Sequence, residues 1–176
     1  MGDAVLTPIT QKDAFAFIVA NHSHNDEPVG WIGGTSVEID GQRAAVGVLG
    51  RPEGRGLQDG RTAAATRVAT TCAPNVCSMV YGALCRMAEA AGYWDVVTYT
   101  LASECGSCVK AAGFVAEAER PARDVDSFDT PSRPRARQGA LFPTKKGRPK
   151  EAKVRWRRHV ARSRRSFPRD ATGAET

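Results

Sequence analysis

The stretch from Thr66 to Phe114 restricts the fold more than any other part of the chain. It reads TRVATT, a polar turn CAPNVCS, then MVYGALCRMAEAAGY, WDVVTYTL and ASECGSCVKAAGF. Val80, Leu84, Met87, Ala88 and Ala91 recur at helical spacing and Gly92 supplies a stop, so the middle segment is an amphipathic helix. The runs on either side are short and rich in β-branched residues, as strands are. A helix between two neighbouring strands is long enough to carry the chain back over the sheet, so the two strands run parallel. The spacing predicts strand, turn, helix, strand and a short second helix.

Upstream, Thr10 is placed to cap a helix over 10–20, with Ala14, Phe15, Phe17, Ile18 and Val19 on its apolar face. The polar segment NHSHNDEPVG follows. WIGGTSVEIDGQRAAVGVLG then reads as an antiparallel hairpin around Asp40-Gly41, and TAAATRVATT as the next strand. Gly54, Gly56 and Gly60 lie between strands of a meander, so they do not form a dinucleotide fingerprint, which must open a helix. With VAEAER as a last strand, the order is α, β, β, β, α, β, α, β. Consecutive strands followed by one βαβ crossover give an α/β fold with a mixed, mostly antiparallel twisted sheet flanked by helices.

Charge divides the chain. Residues 1–132 hold 10 basic and 16 acidic side chains, and residues 133–176 hold 15 basic and 3 acidic, within a net charge of +6. The expected organisation is a folded domain over 1–130 and a basic tail over 131–176. Rich in Pro and Arg and poor in apolar residues, that tail buries too little surface to offset its ordering entropy and reads as disordered. Its charge points to a polyanion, DNA above all, as partner. No apolar run is long enough to span a membrane, and MGDAVLTPITQKDAF lacks a signal-peptide pattern. The expectation is a cytoplasmic protein with five reduced cysteines.

The parts TRVATT, CAPNVCS, MVYGALCRMAEAAGY, DVVTYTL and SCVKAAGF resemble the GNAT superfamily of acyl-CoA-dependent N-acyltransferases. In that family the fourth strand enters a turn that opens a helix, the fifth strand splays from the fourth, and a short helix ends in Gly-Phe. The resemblance covers about residues 10–120. It implies acetyl-CoA or another acyl-CoA as cofactor, with pyrophosphate on the amides of Asn75, Val76, Cys77 and Ser78 and pantetheine along Val68, Ala69 and Thr70. An unpaired helix N-terminus is a ready anion site on physical grounds alone. The matching turn, Cys72-Ala73-Pro74-Asn75-Val76-Cys77, lacks the two glycines and the leading basic residue of the family, and Val109 stands where many members carry a catalytic Tyr. Arg67, Ser78, Tyr81, Tyr99 and Glu104 are the candidate catalytic residues near the strand ends.

Arg67, Asn75 and Ser78 in TRVATTCAPNVCSMV also resemble the Arg…Asn-x-x-Ser stretch of Mom-type phage DNA-modification proteins, which are GNAT-like. That resemblance implies an exocyclic amine of a DNA base as acceptor. His22 and His24 fall where those proteins carry His beside a proposed iron site, although two histidines alone make an incomplete metal site. Cys105-Gly106-Ser107-Cys108 admits three readings: a redox pair, a four-thiolate zinc site with Cys72 and Cys77, or simply buried thiols.

In the tail, Lys145-Lys146-Gly147-Arg148-Pro149-Lys150 resembles an AT-hook, with a generic polybasic segment as its plain alternative. Gly-Arg-Pro is narrow enough for an A·T minor groove. Arg155, Trp156, Arg157 and Arg158 follow, with arginines for phosphate and Trp156 for stacking. The expected function is acyl transfer from an acyl-CoA to an amine, favoured as a nucleobase amine in DNA. The alternatives are an N-acetyltransferase of a small amine or protein, or a non-catalytic nucleic-acid-binding accessory.

Overall fold

The computed structural model of the chain describes residues 3–21, 30–71, 73–121 and 151–161. Among these residues, seven strands form one sheet in the order β1-β2-β3-β4-β5-β7-β6. β1 (Ala4–Pro8), β2 (Gly33–Ile39), β3 (Gln42–Gly50) and β4 (Thr62–Thr70) are antiparallel neighbours. β5 (Asp95–Leu101) lies parallel to β4, and β7 (Lys153–His159) runs antiparallel between β5 and β6 (Val115–Arg120). The fold class is the mixed, mostly antiparallel α/β arrangement that the element order implies. No helix among the described residues is long and apolar enough to cross a membrane.

Helices cover both faces because strand side chains alternate. α1 (Gln11–Asn21) packs Ala14 and Ile18 on Val46, Val48 and Ala69. α2 (Val76–Ala90) packs Val80, Leu84 and Ala88 on the opposite face, with Ala45, Leu49, Ala63 and Ala65. Gly47 lets α2 approach closely, since a Cβ there would overlap Val80 and Leu84. α3 (Ser107–Ala111) sits beside α2. The local signals hold where they are strongest. Thr10 caps α1, its Oγ1 accepting from the Asp13 amide at 3.2 Å. Asp40 and Gly41 both take positive φ (51° and 75°), the geometry of a tight hairpin turn. Val19 and Ala91, expected on apolar helix faces, are exposed.

The main correction concerns the C-terminal region. Lys153–His159, expected within a disordered tail, is a strand paired along the whole of β5 and most of β6. Its charges are matched by partners distant in sequence. Arg155 pairs with Glu117 at 2.7 Å, and Arg157 bridges Asp95 and Glu117, each at 3.1 Å. Arg158 donates to the Ala112 carbonyl. Trp156 is buried in the main core, its Nε1 donating to Thr100 Oγ1 at 3.0 Å, with the Lys110 ammonium over its ring. These four residues are therefore part of the sheet, and Trp156 offers no face for base stacking. The other addition is β1, which continues the sheet beyond β2.

Gly106 locks this arrangement. It has φ +61°, and a Cβ there would lie 2.6 Å from Trp156 Cζ2. Gly106→Ala is expected to cost about 2–4 kcal/mol, combining left-handed strain with overpacking. Urea denaturation measures it, and a loss below about 0.5 kcal/mol, within the range of ordinary surface substitutions, would contradict the close packing described.

Candidate active site

The sheet forks between β4 and β5. Their parallel pairing runs only through Thr62↔Asp95, Ala63↔Val96 and Ala64↔Val97, and then stops. The cause lies on the other edge of β4. Against β3 the register passes from Leu49↔Ala65 to Val48↔Arg67, so Thr66 is an extra residue, a bulge where pairing with β5 ends. A bulge bends and twists its strand, which carries β4 away from β5. Thr98 then donates its hydroxyl to the Ala65 carbonyl at 3.0 Å, satisfying that group at the fork by a side chain instead of a ladder bond. Beyond it, Ala65–Thr70 and Thr98–Leu101 diverge as the walls of a cleft that opens toward the C-terminal ends of both strands.

α2 begins at that open end. Asn75 immediately precedes it with φ 62° and ψ −15°, and makes no side-chain cap. Asn is one of the few residues that visits this left-handed conformation readily, so it does here what glycine would do in a phosphate-binding turn. The amides of Val76, Cys77 and Ser78, first in the helix, have no intrahelical acceptor. None is bonded to another group among the described residues. Cys77 and Ser78 keep part of their surface exposed, whereas Val76 has none. Val76 is fully buried in the core, Cys77 packs against that core, and Ser78 Oγ folds back to donate to the Asn75 carbonyl at 2.8 Å. Despite the missing glycines, the turn therefore fits a pyrophosphate. A shallow groove of about 430 Å³ leads away from Ser78 past Met79, Gly82, Arg86, Gly113 and Arg158.

The structure divides the catalytic candidates by sheet face. Ser78, Tyr81 and Glu104 lie on the α2 side. Tyr81 is buried edge-on to Phe114, ring centroids 5.7 Å apart, with its hydroxyl against that of Thr98 at the fork. Burial, reinforced by the nearby Cys77, pushes the Tyr81 phenol well above its ordinary range, so it stays protonated. Glu104 is exposed, and its carboxylate accepts from the Leu101 amide at 2.9 Å, close enough for its charge to act on both Tyr81 and Cys77. Arg67 and Tyr99 project from the opposite face. Ala69 packs toward α1, so Arg67 two residues earlier shares that side, and Tyr99 alternates with Thr98 and Thr100, which face α2 and Trp156. The Arg67 guanidinium donates to the Thr66 carbonyl at 2.6 Å. Val68 and Thr70 look toward α2, while Ala69 is buried and offers only its backbone.

The bulge at Thr66, the Thr98 clasp and the nearness of Cys77 on α2 to Cys108 on α3 escape a reading of the sequence, because each depends on packing or pairing between distant elements. His22, His24, Cys72, Lys145, Lys146, Arg148 and Lys150 lie outside the described residues. Among the described residues, no group of three or more His, Cys, Asp or Glu side chains is placed to hold a metal ion.

No protein-family model and no curated protein sequence matches the chain. Solved structures do. The ribosomal-protein-S18-alanine N-acetyltransferase of Escherichia coli is similar with a TM-score of 0.58 at 11% identity, over 94% of this chain and 99% of that one. An acetyltransferase of Bacillus subtilis in complex with CoA gives 0.56 at 13% identity, over 91% and 99%. A GNAT-family acetyltransferase of Streptococcus pneumoniae gives 0.58 at 7% identity, over 90% and 100%. With its forked β4–β5 pair, its amide-bearing turn and its strand order, the chain has the GNAT fold.

Proposed function

We propose that the chain is an acyl-CoA-dependent N-acyltransferase. The observation that carries this reading is the fork in the sheet, opening onto the amides of Val76, Cys77 and Ser78, which have no partner among the described residues. These three amides and the α2 dipole would hold the pyrophosphate, and the β4 edge beyond Ala65 would bind the pantetheine arm. Arg86 and Arg158 border the groove where the nucleotide half would continue. When bound, acetyl-CoA supplies the acyl group as a thioester. Tyr81 holds a proton at its hydroxyl at the base of the fork, a donor that does not ionise near neutral pH. Glu104, exposed at the rim, is the carboxylate available to take a proton from an incoming amine. Tyr81 thus stands in for the Tyr that Val109 displaces.

For the acceptor, the reading is an amine carried by nucleic acid, with a nucleobase of DNA favoured. Its support is where the basic sequence attaches. Residues 122–150 hold eight basic and three acidic side chains. The chain returns from them at the cleft mouth, where Ala102 donates its amide to the Ala152 carbonyl at 2.8 Å and Ser103 to Glu151 Oε1 at 2.6 Å. Polyphosphate drawn to that segment would arrive beside the strand ends. Calorimetry with acetyl-CoA tests the first half, with micromolar binding expected and absence of binding fatal to it. Mass spectrometry of nucleosides from DNA of expressing cells tests the second. An acylated nucleoside is expected, and an unmodified profile alongside acetyl-CoA binding would move the acceptor to a small amine or a protein.

A further inference from the structure

Cys77 and Cys108 occupy equivalent places, each the second residue of a helix, α2 and α3. Both helices start at the open end of the fork, one after β4 and the other after β5, and they pack side by side. The two thiols are half-buried and near enough to act on one another, and Tyr81, one turn along α2, senses both. Cys105 is in a different setting. It is exposed, and its sulfur is engaged with Ser107 Oγ at 3.2 Å. The CxxC sequence suggests Cys105–Cys108 as the pair, whereas the packing joins Cys108 to Cys77.

We propose that Cys77 and Cys108 are a thiol–disulfide site that closes the mouth of the cleft when oxidised by a peroxide. The Cys108 sulfur, as thiolate, attacks one peroxide oxygen. The O–O bond breaks, leaving a sulfenic acid on Cys108 and a hydroxide that takes up the thiol proton as water. The Cys77 sulfur then attacks the Cys108 sulfur. The S–O bond breaks, and the departing hydroxide leaves as a second water with the Cys77 proton. Two thiols lose two electrons and the peroxide gains them. Burial and the neighbouring Cys108 push the Cys77 thiol up to about 12, which disfavours its thiolate and leaves the first attack on peroxide to Cys108.

A sulfur–sulfur bond is about 2.05 Å long, shorter than any contact between separate thiols, so forming it draws the first turns of α2 and α3 together. The Cys77 amide, one of the three in the anion cradle, is re-aimed, and the gap between the turns narrows. Oxidation is therefore expected to weaken acetyl-CoA binding at least tenfold. That consequence rests on the function proposed above; the cross-link itself does not.

The experiment uses the full chain, treated with hydrogen peroxide, alkylated and digested without reductant. The expected product is a Cys77–Cys108 linked peptide that disappears with dithiothreitol. A Cys105–Cys108 link, any other bridge to Cys77, or no link at all would overturn the proposal, whether or not acetyl-CoA binds. In parallel, the peroxide-dependent loss of acetyl-CoA affinity should persist in Cys105→Ser and vanish in Cys108→Ser. Loss retained in Cys108→Ser would reject control by this pair. Failure of the reduced wild type to bind acetyl-CoA would count against the proposed function alone, because the peptide map would still report the cross-link.

Discussion

Ending the chain after Lys150 is expected to abolish cooperative folding. Among the described residues β6 is the outermost strand and its only sheet neighbour is β7. β5 would keep only its three parallel pairs to β4. Trp156 would also leave the core, exposing Phe114, Val109 and Thr100 and stranding Asp95 and Glu117 without their arginines. Trp156→Ala alone should cost about 3–5 kcal/mol, a large share of the roughly 5–15 kcal/mol that a domain of this kind possesses. Removing the whole strand exceeds what the remainder can supply. Circular dichroism on heating should show a shallow drift in place of a sigmoid, and urea titration a sharply reduced slope. A truncated chain that melts cooperatively within a few degrees of the intact one would overturn the placement of β7.

That outcome would distinguish the strand from the disordered tail that composition implies, and the reason composition misleads here is physical. KVRWRRH carries only two large apolar side chains, and its four cations weigh toward disorder in any local measure. What makes it a strand is supplied from elsewhere: Glu117 on β6, Asp95 on β5, and the hollow left by Gly106 for the indole. Asp40-Gly41, Thr10 and the α2 stripe were legible because their determinants lie within a few residues. The fork was half legible. Its helix and turn could be read directly, but the bulge at Thr66 exists only in the register between β3 and β4. Cys77 and Cys108 meet only because α2 and α3 pack, so a search for spaced motifs finds CxxC first. The absence of glycine in the turn pointed away from a phosphate site, yet Asn75 adopts the left-handed conformation itself and the Val76 side chain turns into the core.

The cradle yields the second large effect, with opposite signs for stability and binding. Ser78→Asp places a carboxylate in the first turn of α2. Toward the fold this is favourable, because a negative charge near a helix N-terminus stabilises by about 0.3–1 kcal/mol. Toward a bound pyrophosphate it is unfavourable, since it occupies the dipole field that the ligand would use and adds like-charge repulsion. At about 4 Å that repulsion is worth about 1 kcal/mol at full water screening and about 4 kcal/mol at the effective dielectric of a protein surface. Each 1.4 kcal/mol is about tenfold, so acetyl-CoA affinity should fall by at least about one order of magnitude. Ser78→Ala separates charge from the lost hydroxyl. The hydroxyl is already committed to the Asn75 carbonyl, so this variant should bind acetyl-CoA within about threefold of the parent while losing some helix stability. Calorimetry gives the affinities and thermal melting the stabilities. If Ser78→Asp bound acetyl-CoA as tightly as the parent while melting at the same temperature or higher, the phosphate would have to lie away from α2, and the amides of Val76, Cys77 and Ser78 would lose their assigned role.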